Sequence, residues 1–262
     1  MIKAMNTAAT GMMAQQMNID NIANNLANVN TTAFKKSRVE FQDILYQNFR
    51  RAGSPWAVGA VVPANLDIGY GARAVATNRQ FAPGSITVTN NPTDVSISGN
   101  GFFQIRTPDG LTAYSRDGAF KISSEGQLVT SDGFIVTPEI TIPQDATDLS
   151  IGIDGQVYVM TVGNDTPQLL GQFELAKFIN PAGLSAVGHN LFTQTPASGL
   201  PITGTPGSNG FGTIEQGYLE ASNVSVVDEM VNMIMAQRAY EINSKVIQTS
   251  DDMTQVVNNL KR

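Results

Sequence analysis

The chain has 262 residues and a formal net charge of −6, from 16 basic and 22 acidic side chains. It contains no cysteine and one histidine, which excludes disulfides, thiolate catalysis and metal sites built from Cys or several His. The acidic balance excludes general nucleic-acid binding, because that needs a basic surplus to displace counterions.

The first residues predict neither a cleavable export signal nor a membrane span. Polar residues between Asn6 and Gln16 interrupt the apolar run of about 7–15 residues that a secretory signal needs. Nowhere does the chain approach the roughly 20 apolar residues of a membrane span. We therefore expect export without a cleavable signal peptide and no membrane insertion.

The N-terminal segment predicts a helix with an apolar stripe at heptad a and d spacing. Gly11 weakens this helix by about 1 kcal/mol relative to Ala. A second stripe, made of amides, runs beside the apolar one. The apolar stripe is Met5, Ala8, Met12, Ile19, Ile22, Leu26 and Val29, and the amide stripe is Asn18, Asn21, Asn25 and Asn28.

The C-terminal segment predicts a longer helix, of about nine to ten turns, because no Pro or Gly lies between Glu220 and Arg262. Arg238, Glu241 and Lys245 are spaced for helical ion pairs. The apolar stripe of this helix alternates by four and three: Met235, Ala239, Ile242, Val246, Thr249, Met253, Val256 and Leu260.

The middle of the chain has period-two patterning and predicts an antiparallel β domain. Acidic-Gly pairs mark tight turns at residues 109–110, 117–118, 125–126, 132–133 and 154–155. The predicted strands are Gly101–Arg106, Leu111–Ser115, Ala119–Ser123, Gln127–Thr130, Phe134–Thr137, Leu149–Ile153, Gln156–Val162 and Gln168–Ile179.

Two Gly/Pro-rich stretches, Arg51–Gly71 and Ala197–Gly217, lack periodicity and predict extended connectors. The predicted division of the chain therefore has three parts. These are a discontinuous helical assembly domain (1–40 and 221–262), a connector region (41–81 and 205–220) and a central β domain (82–204).

An amphipathic helix cannot bury its stripe alone, so the two ends are expected to pair. The predicted fold class is α+β, with long terminal helices in a coiled-coil-like unit and an antiparallel all-β domain looped out between them. One pair still leaves much of each stripe exposed, which favours further copies of the chain as partners. Of the 22 Asn, 12 lie in residues 1–30 and 221–262, where amides can bond across interfaces without charge repulsion. The alternative is a two-helix hairpin whose Asn side chains face solvent.

Three segments resemble the bacterial flagellar rod and hook family: NNLANVNTTAFKKSRVEFQDILYQ (Asn24–Gln47), the segment Ser98–Val136, and QGYLEASNVSVVDEMVNMIMAQRAYEINSK (Gln216–Lys245). GHNLFTQTPASGLP (Gly188–Pro201) is also similar to a family segment. Ala33 departs from the family pattern, which commonly has Gly there. The resemblance runs from end to end. The short length and the segment Gln42–Ala74 look most like a subunit of the distal rod, rather than the proximal rod or hook.

This resemblance implies a structural, non-catalytic subunit that polymerises helically into a hollow drive shaft. It implies export through the flagellar type III apparatus and axial contacts with proximal rod and hook proteins. Peptidoglycan-layer and outer-membrane ring proteins would surround the shaft in the periplasm. A peptidoglycan-associated binding module is the alternative from a different functional class.

The predicted self-assembly interface combines the helical stripes with the matching family residues. The resemblance also implies a rod-stiffening connector, in which we expect Trp56 to anchor an intersubunit contact. No catalytic, cofactor or metal site is predicted, and His189 is expected to be a loop residue. The interface residues are Met5, Met12, Ile19, Ile22, Asn24, Asn25, Leu26, Asn28, Val29, Met235, Gln237, Arg238, Ala239, Tyr240, Glu241, Ile242, Val246, Met253, Val256 and Leu260; the connector residues are Arg50, Pro55, Trp56, Pro63 and Ile68.

Overall fold

The computed structural model describes residues 2–53, 55–57, 60–61, 63–161 and 164–260. Two long helices lie at the ends of the chain, and the predicted α+β class is confirmed. Helix α1 spans Ile2–Ala27 and helix α2 spans Val226–Leu260.

Short strands fill the chain between the helices, together with a 3₁₀ turn at Pro181–Gly183. In chain order they are β1 (Ser37–Asp43), β2 (Tyr46–Arg50), β3 (Pro55–Ala57), β4 (Ala60–Val61), β5 (Leu66–Gly69), β6 (Ala72–Arg79), β7 (Ile86–Val88), β8 (Val95–Ser98), β9 (Phe102–Arg106), β10 (Thr112–Ser115), β11 (Lys121–Ile122), β12 (Leu128–Val129), β13 (Ile135–Thr137), β14 (Ala146–Ile151), β15 (Gln156–Thr161), β16 (Asn164–Gln172), β17 (Leu175–Lys177), β18 (Ser185–Gly188), β19 (Leu191–Thr193), β20 (Ile202–Gly204), β21 (Thr213–Gln216) and β22 (Tyr218–Glu220).

The chain divides into two compact units, each made of segments distant in sequence. The terminal unit comprises Met1–Ala27, Ser37–Asn78 and Ser225–Arg262. The β unit comprises Asn28–Lys36 and Arg79–Val224. The three-part division drawn from the sequence stays a prediction.

The main sheet of the β unit is antiparallel, in the order β11-β12-β13-β9-β10-β19-β18, and β17 pairs with both β9 and β20. A second sheet has the order β14-β15-β16. Strand β9 is buried on both faces, so its apolar residues need no alternation. Phe103 packs against Phe120 and Phe173, with ring centroids 5.1 and 6.0 Å away.

Four of the five predicted acidic-Gly turns have glycine in the left-handed region that such turns require. Gly110, Gly126, Gly133 and Gly155 have φ between 77° and 84°. The exception is Gly118, which does not connect paired strands. A Cβ on Gly118 would lie 1.6 Å from the Val95 carbonyl oxygen, so glycine is needed there for a close backbone approach.

Two predictions of local structure are wrong. The expected strand Gln168–Ile179 is two strands, β16 and β17, interrupted after Gln172. The first expected connector, Arg51–Gly71, is not simply extended, because β5 pairs with β2 in an antiparallel hairpin. By contrast, helix α2 has 35 residues and therefore the predicted nine to ten turns.

A buried ionic cluster joins three segments of the β unit around Glu220. One carboxylate oxygen accepts a hydrogen bond from the Lys35 ammonium and another from the Gly84 N–H. The other oxygen accepts from Arg116 Nε at 2.9 Å. The three side chains are at most 3% exposed.

Further donors of the cluster bond to backbone carbonyls. Arg116 donates to the carbonyls of Gly101 and Ile97, and Lys35 donates to that of Ala82. Ala33 has φ 55°, the left-handed conformation that the family's usual glycine favours. Its N–H donates to the Glu220 carbonyl at 2.7 Å. The segment after α1 is thereby tied to the segment before α2.

The charges of the cluster shift the pKa values of its members. Burial alone would raise the pKa of Glu220, but Arg116 and Lys35 hold that pKa below its usual range. Burial lowers the pKa of Lys35, and the Glu220 carboxylate only partly offsets this effect. Glu220 is therefore the anion on which both buried cations depend.

The substitution Glu220→Gln should lower the free energy of unfolding of the β unit by about 3–5 kcal/mol, because it leaves two buried cations without a counter-charge. Urea denaturation followed by circular dichroism measures this. The matched control is Glu139→Gln, which breaks an exposed pair with Arg106 and should cost less than about 1 kcal/mol. Equal effects of the two substitutions would contradict the assignment.

The same comparison has a defined pH dependence. Since the folded-state pKa of Glu220 is lowered, its stabilisation is complete above the ordinary glutamate pKa of about 4.3 and is lost as the pH falls below it. The difference between wild type and Glu220→Gln should be constant at neutral pH and shrink in acid.

Candidate self-assembly surface

The two helices of the terminal unit pack against each other in an antiparallel arrangement. Near the start of α1, a Cβ on Gly11 would lie 3.0 Å from Asn243 Nδ2. Near its end, Asn25 Nδ2 donates to Glu229 Oε2 at 3.2 Å. Moving 14 residues forward along α1 thus corresponds to moving 14 residues back along α2. The predicted pairing of the terminal helices is present.

Small and polar residues line the contact between the helices, and on α2 the contact face does not include the apolar stripe. Residues seven apart lie on one face of a helix. On α1 this face includes Gly11, Asn18 and Asn25. On α2 the matching heptad positions are Glu229, Ala236, Asn243 and Ser250, of which Glu229, Ala236 and Ser250 are buried.

The apolar stripe of α2 is left uncovered. Positions 235, 242 and 249 of the stripe each come one residue before a position of the contact face (236, 243 and 250). One residue corresponds to about 100° around the helix, so the stripe lies to one side of the contact between the helices. We call Met235, Ile242, Val246, Met253, Val256 and Leu260 the α2 stripe. Their exposed fractions run from 39% for Val246 to 81% for Leu260, and Ala239 between them is half-buried.

The predicted stripe of α1 is covered to a greater extent. Ala8 and Ile22 are buried, and the remaining apolar positions within the helix are half-buried. Asn24 is exposed, whereas Asn28 and Val29 lie beyond the end of the helix in a turn. The half-buried positions are Met5, Met12, Ile19 and Leu26.

The family-signature residues of α2 lie around the helix rather than along the α2 stripe, because Gln237 is about 200° from Met235. Gln237, Arg238, Tyr240 and Glu241 are exposed. Arg238 forms an exposed ion pair with Glu241 at 3.6 Å, as their spacing predicts. Asn25 of α1, in contrast, is only 1% exposed and belongs to the contact within the chain.

Asn25 connects three elements of the terminal unit. Its amide nitrogen donates to the Ser37 carbonyl at 2.9 Å and to Glu229, and its oxygen accepts from the Ser37 N–H at 3.0 Å. Asn21 also donates to the Ser37 carbonyl, at 2.7 Å. Sequence reasoning missed Ser37 and Glu229. The seven-residue spacing of Glu229, Ala236, Asn243 and Ser250 is the signal that would have identified the contact face.

The connector residues lie in or near the β2–β5 hairpin. Arg50 pairs with Leu66 in the hairpin register, and Ile68 is half exposed. Pro63 is exposed. Pro55 and Trp56 lie in β3, but their side chains fall outside the described residues, so the predicted anchoring role of Trp56 stays a prediction.

The hairpin adds a second uncovered apolar area to the terminal unit. Tyr46, Phe49 and Leu66 are each more than half exposed. Lys3 of α1 lies over the Phe49 ring, with its ammonium 5.1 Å from the centroid, and its charge favours the ring face. The aromatic residues therefore lie beside α1.

His189 occupies the β18–β19 turn of the β unit. It and Asn190 have φ of 53° and 57°, the pattern of a type I′ hairpin turn. Its Nδ1 lies 3.2 Å from Asp132 Oδ2, and the imidazole is mostly exposed. In the helices that the structure describes, none is long and apolar enough to span a membrane.

The substitution Asn25→Asp should destabilise the helix pair by about 2–3 kcal/mol. It removes two buried hydrogen-bond donors and places a second carboxylate beside Glu229. Thermal loss of ellipticity at 222 nm measures the effect. Asn24→Asp is the matched control, since it makes the same charge change on the exposed side of α1. A stability no lower than that of the control would show that the Asn25 network contributes nothing.

Three family profiles match the chain in order. They are the "Flagella basal body rod protein" profile over residues 5–35, the "Flagellar hook protein FlgE/F/G D1 domain" profile over 96–159, and the "Flagellar basal body rod FlgEFG protein C-terminal" profile over 215–260. The first and last cover most of α1 and α2.

Relatives match over the whole length. The flagellar basal-body rod protein FlgG of Borreliella burgdorferi is 54% identical over 264 residues, covering all of both chains. That of Bacillus subtilis is 39% identical over 269 residues, again covering all of both chains. The flagellar hook protein FlgE of Salmonella typhimurium is 35% identical over 72% of this chain and 48% of its own length. The chain is therefore a member of the flagellar basal-body rod protein family.

Proposed function

We propose that this chain is a structural subunit of the distal rod, which polymerises helically into the hollow shaft that transmits torque from the motor to the hook. The observation that carries the proposal is the α2 stripe: six large apolar side chains along one face of a 35-residue helix, each at least 39% exposed. A single chain offers nothing among its described residues to cover this face. Burial against another copy removes it from water.

The proposed contacts follow from an axial position in the shaft. The chain binds copies of itself, proximal rod and hook proteins axially, and the peptidoglycan-layer and outer-membrane ring proteins around it. It reaches the periplasm through the flagellar type III export apparatus. It has no catalytic activity, and His189 serves in a turn. The full-length similarity to FlgG rod proteins supports this assignment.

Two alternative functions can be distinguished from this one by experiment. Similarity to a hook protein over 72% of the chain also supports another axial subunit, from the proximal rod or the hook. A non-polymerising, peptidoglycan-associated binding module would act as a monomer. Deleting residues 236–262 should abolish assembly by an axial subunit and leave ligand binding by a β-domain module intact.

The β2–β5 hairpin and its loop are proposed to stiffen the shaft. Arg50, Pro55, Trp56, Pro63 and Ile68 lie in this segment. Its exposed aromatic and apolar side chains form a surface against which neighbouring subunits can pack. More contact between neighbours restricts their relative motion, which is what distinguishes a straight shaft from a bendable one.

The substitution Ile242→Asp should raise the concentration needed for polymerisation by about tenfold or more, because a charge in the α2 stripe must be buried on assembly. Sedimentation and electron microscopy of purified, concentrated protein measure this, with wild type expected to form straight tubes. The control is Ile179→Asp, at an 83% exposed position of the β unit. Unimpaired assembly of Ile242→Asp would contradict the proposal.

The hairpin loop can be tested separately from assembly. Replacing the fifteen residues 51–65 by Asn-Gly, which favours a two-residue hairpin turn, should permit polymerisation but give curved filaments. A fifteen-residue Gly/Ser loop is the length-matched control and should behave likewise, since it lacks Trp56 and the other apolar side chains of residues 51–65. Persistence length measured from micrographs is the readout. Straight filaments from both variants would remove the stiffening role.

A further inference from the structure

The methionine residues of this chain are concentrated on the two terminal helices. Eight of the ten methionines lie in α1 and α2, four in each helix, although the β unit is the longer of the two units. The chain contains no cysteine, so these thioethers supply almost all of its sulfur. Oxidation of sulfur in this protein is therefore chiefly a reaction of its helices.

Two of these methionines belong to the α2 stripe. Met235 and Met253 are 60% and 58% exposed. They are separated by five turns of the helix, so they lie on the same side of α2, about 27 Å apart at 1.5 Å per residue. The other members of the stripe are Val, Ile and Leu, whose side chains are hydrocarbons. The stripe therefore has two oxidisable positions, and both are accessible in the free chain.

Oxidation would change the chemical character of this surface. A thioether sulfur attacks one oxygen of hydrogen peroxide, an S–O bond forms, and the O–O bond breaks. The sulfur loses two electrons and water is released, which converts a flexible apolar side chain into a polar sulfoxide. A buried polar group without a hydrogen bond is unfavourable. The hydrocarbon side chains of the stripe offer the sulfoxide oxygen no donor.

We propose that Met235 and Met253 are oxidation sites that control assembly, an inference that rests on the proposed polymerisation. Peroxide converts both to the sulfoxide in the free subunit, and the oxidised subunit requires a higher concentration to polymerise. Burial of the α2 stripe in the polymer protects the same two sulfurs from further reaction. Since sulfoxide reductases reverse the modification, the block on assembly is reversible.

Leucine can replace methionine at these positions with little other change. The two residues have similar helix propensities and similar volumes. Met235→Leu/Met253→Leu therefore keeps the stripe apolar and removes its sulfur. The matched control is Met160→Leu/Met230→Leu, which removes two methionines that are 41% and 52% exposed. Met230 lies on α2 about 140° around the helix from the two stripe methionines, and Met160 lies in the β unit.

The experiment treats dilute full-length protein with hydrogen peroxide, removes the peroxide, and measures by sedimentation the concentration needed for polymerisation. Peptide mass spectrometry identifies each methionine that has gained oxygen. For wild type and for the control variant, we expect the required concentration to rise about tenfold or more, because two polar groups must be buried. For Met235→Leu/Met253→Leu it should change by less than about twofold. Sulfoxide reductases that act on both epimers should restore assembly of the oxidised wild type.

Three results would overturn the proposal while leaving polymerisation itself intact. Loss of assembly by peroxide-treated Met235→Leu/Met253→Leu would place the sensitive group elsewhere. Normal assembly of wild type that carries the added oxygen at Met235 and Met253 would show that the sulfoxides are tolerated. Equal oxidation rates of these residues in monomer and sedimented polymer would show that the polymer does not protect them. Untreated wild type that never sediments as polymer would instead overturn the proposed function.

Discussion

The arrangement of the segments in the β unit depends on the ion pairs of one buried carboxylate, that of Glu220. It neutralises Lys35, from the segment that follows α1, and Arg116, from the main sheet. It lies at the end of β22, just before the chain enters α2. One anion therefore holds three segments of the β unit together: the segment that contains Lys35, the segment that contains Arg116 and the strand β22. Such a cluster is costly to desolvate, so its role is to define a geometry rather than to add net stability.

The terminal unit separates two tasks between different helix faces. The contact between α1 and α2 uses Gly11, Asn25, Ala236 and Ser250, which are small or form directed hydrogen bonds and so set a close and defined approach. The large apolar side chains of α2 lie on an exposed face of the helix. If the large apolar residues were buried between the two helices of one chain, the monomer would be stable and would expose little apolar surface for association. Here the polar contact sets the register within the chain, and the apolar surface is the one that we propose to be buried on assembly.

The sequence allowed the class of the fold, both helices and most of the β turns to be predicted, because periodicity and acidic-Gly pairs are local signals. It misassigned the Asn25 amide to contacts between copies, since spacing alone does not say which partner a stripe faces. The break between β16 and β17 was missed because it depends on which strands each segment pairs with. Ala33 was the informative exception: its φ of 55° matches the conformation that a glycine would have adopted without strain.

The antiparallel arrangement of α1 and α2 has an electrostatic consequence for a polymer. Aligned peptide dipoles give a helix a partial positive charge at its N-terminus and a negative one at its C-terminus. In this chain the start of one helix lies toward the end of the other, so the two macrodipoles oppose each other within every subunit. A shaft of many copies then accumulates little electric polarity from its helices.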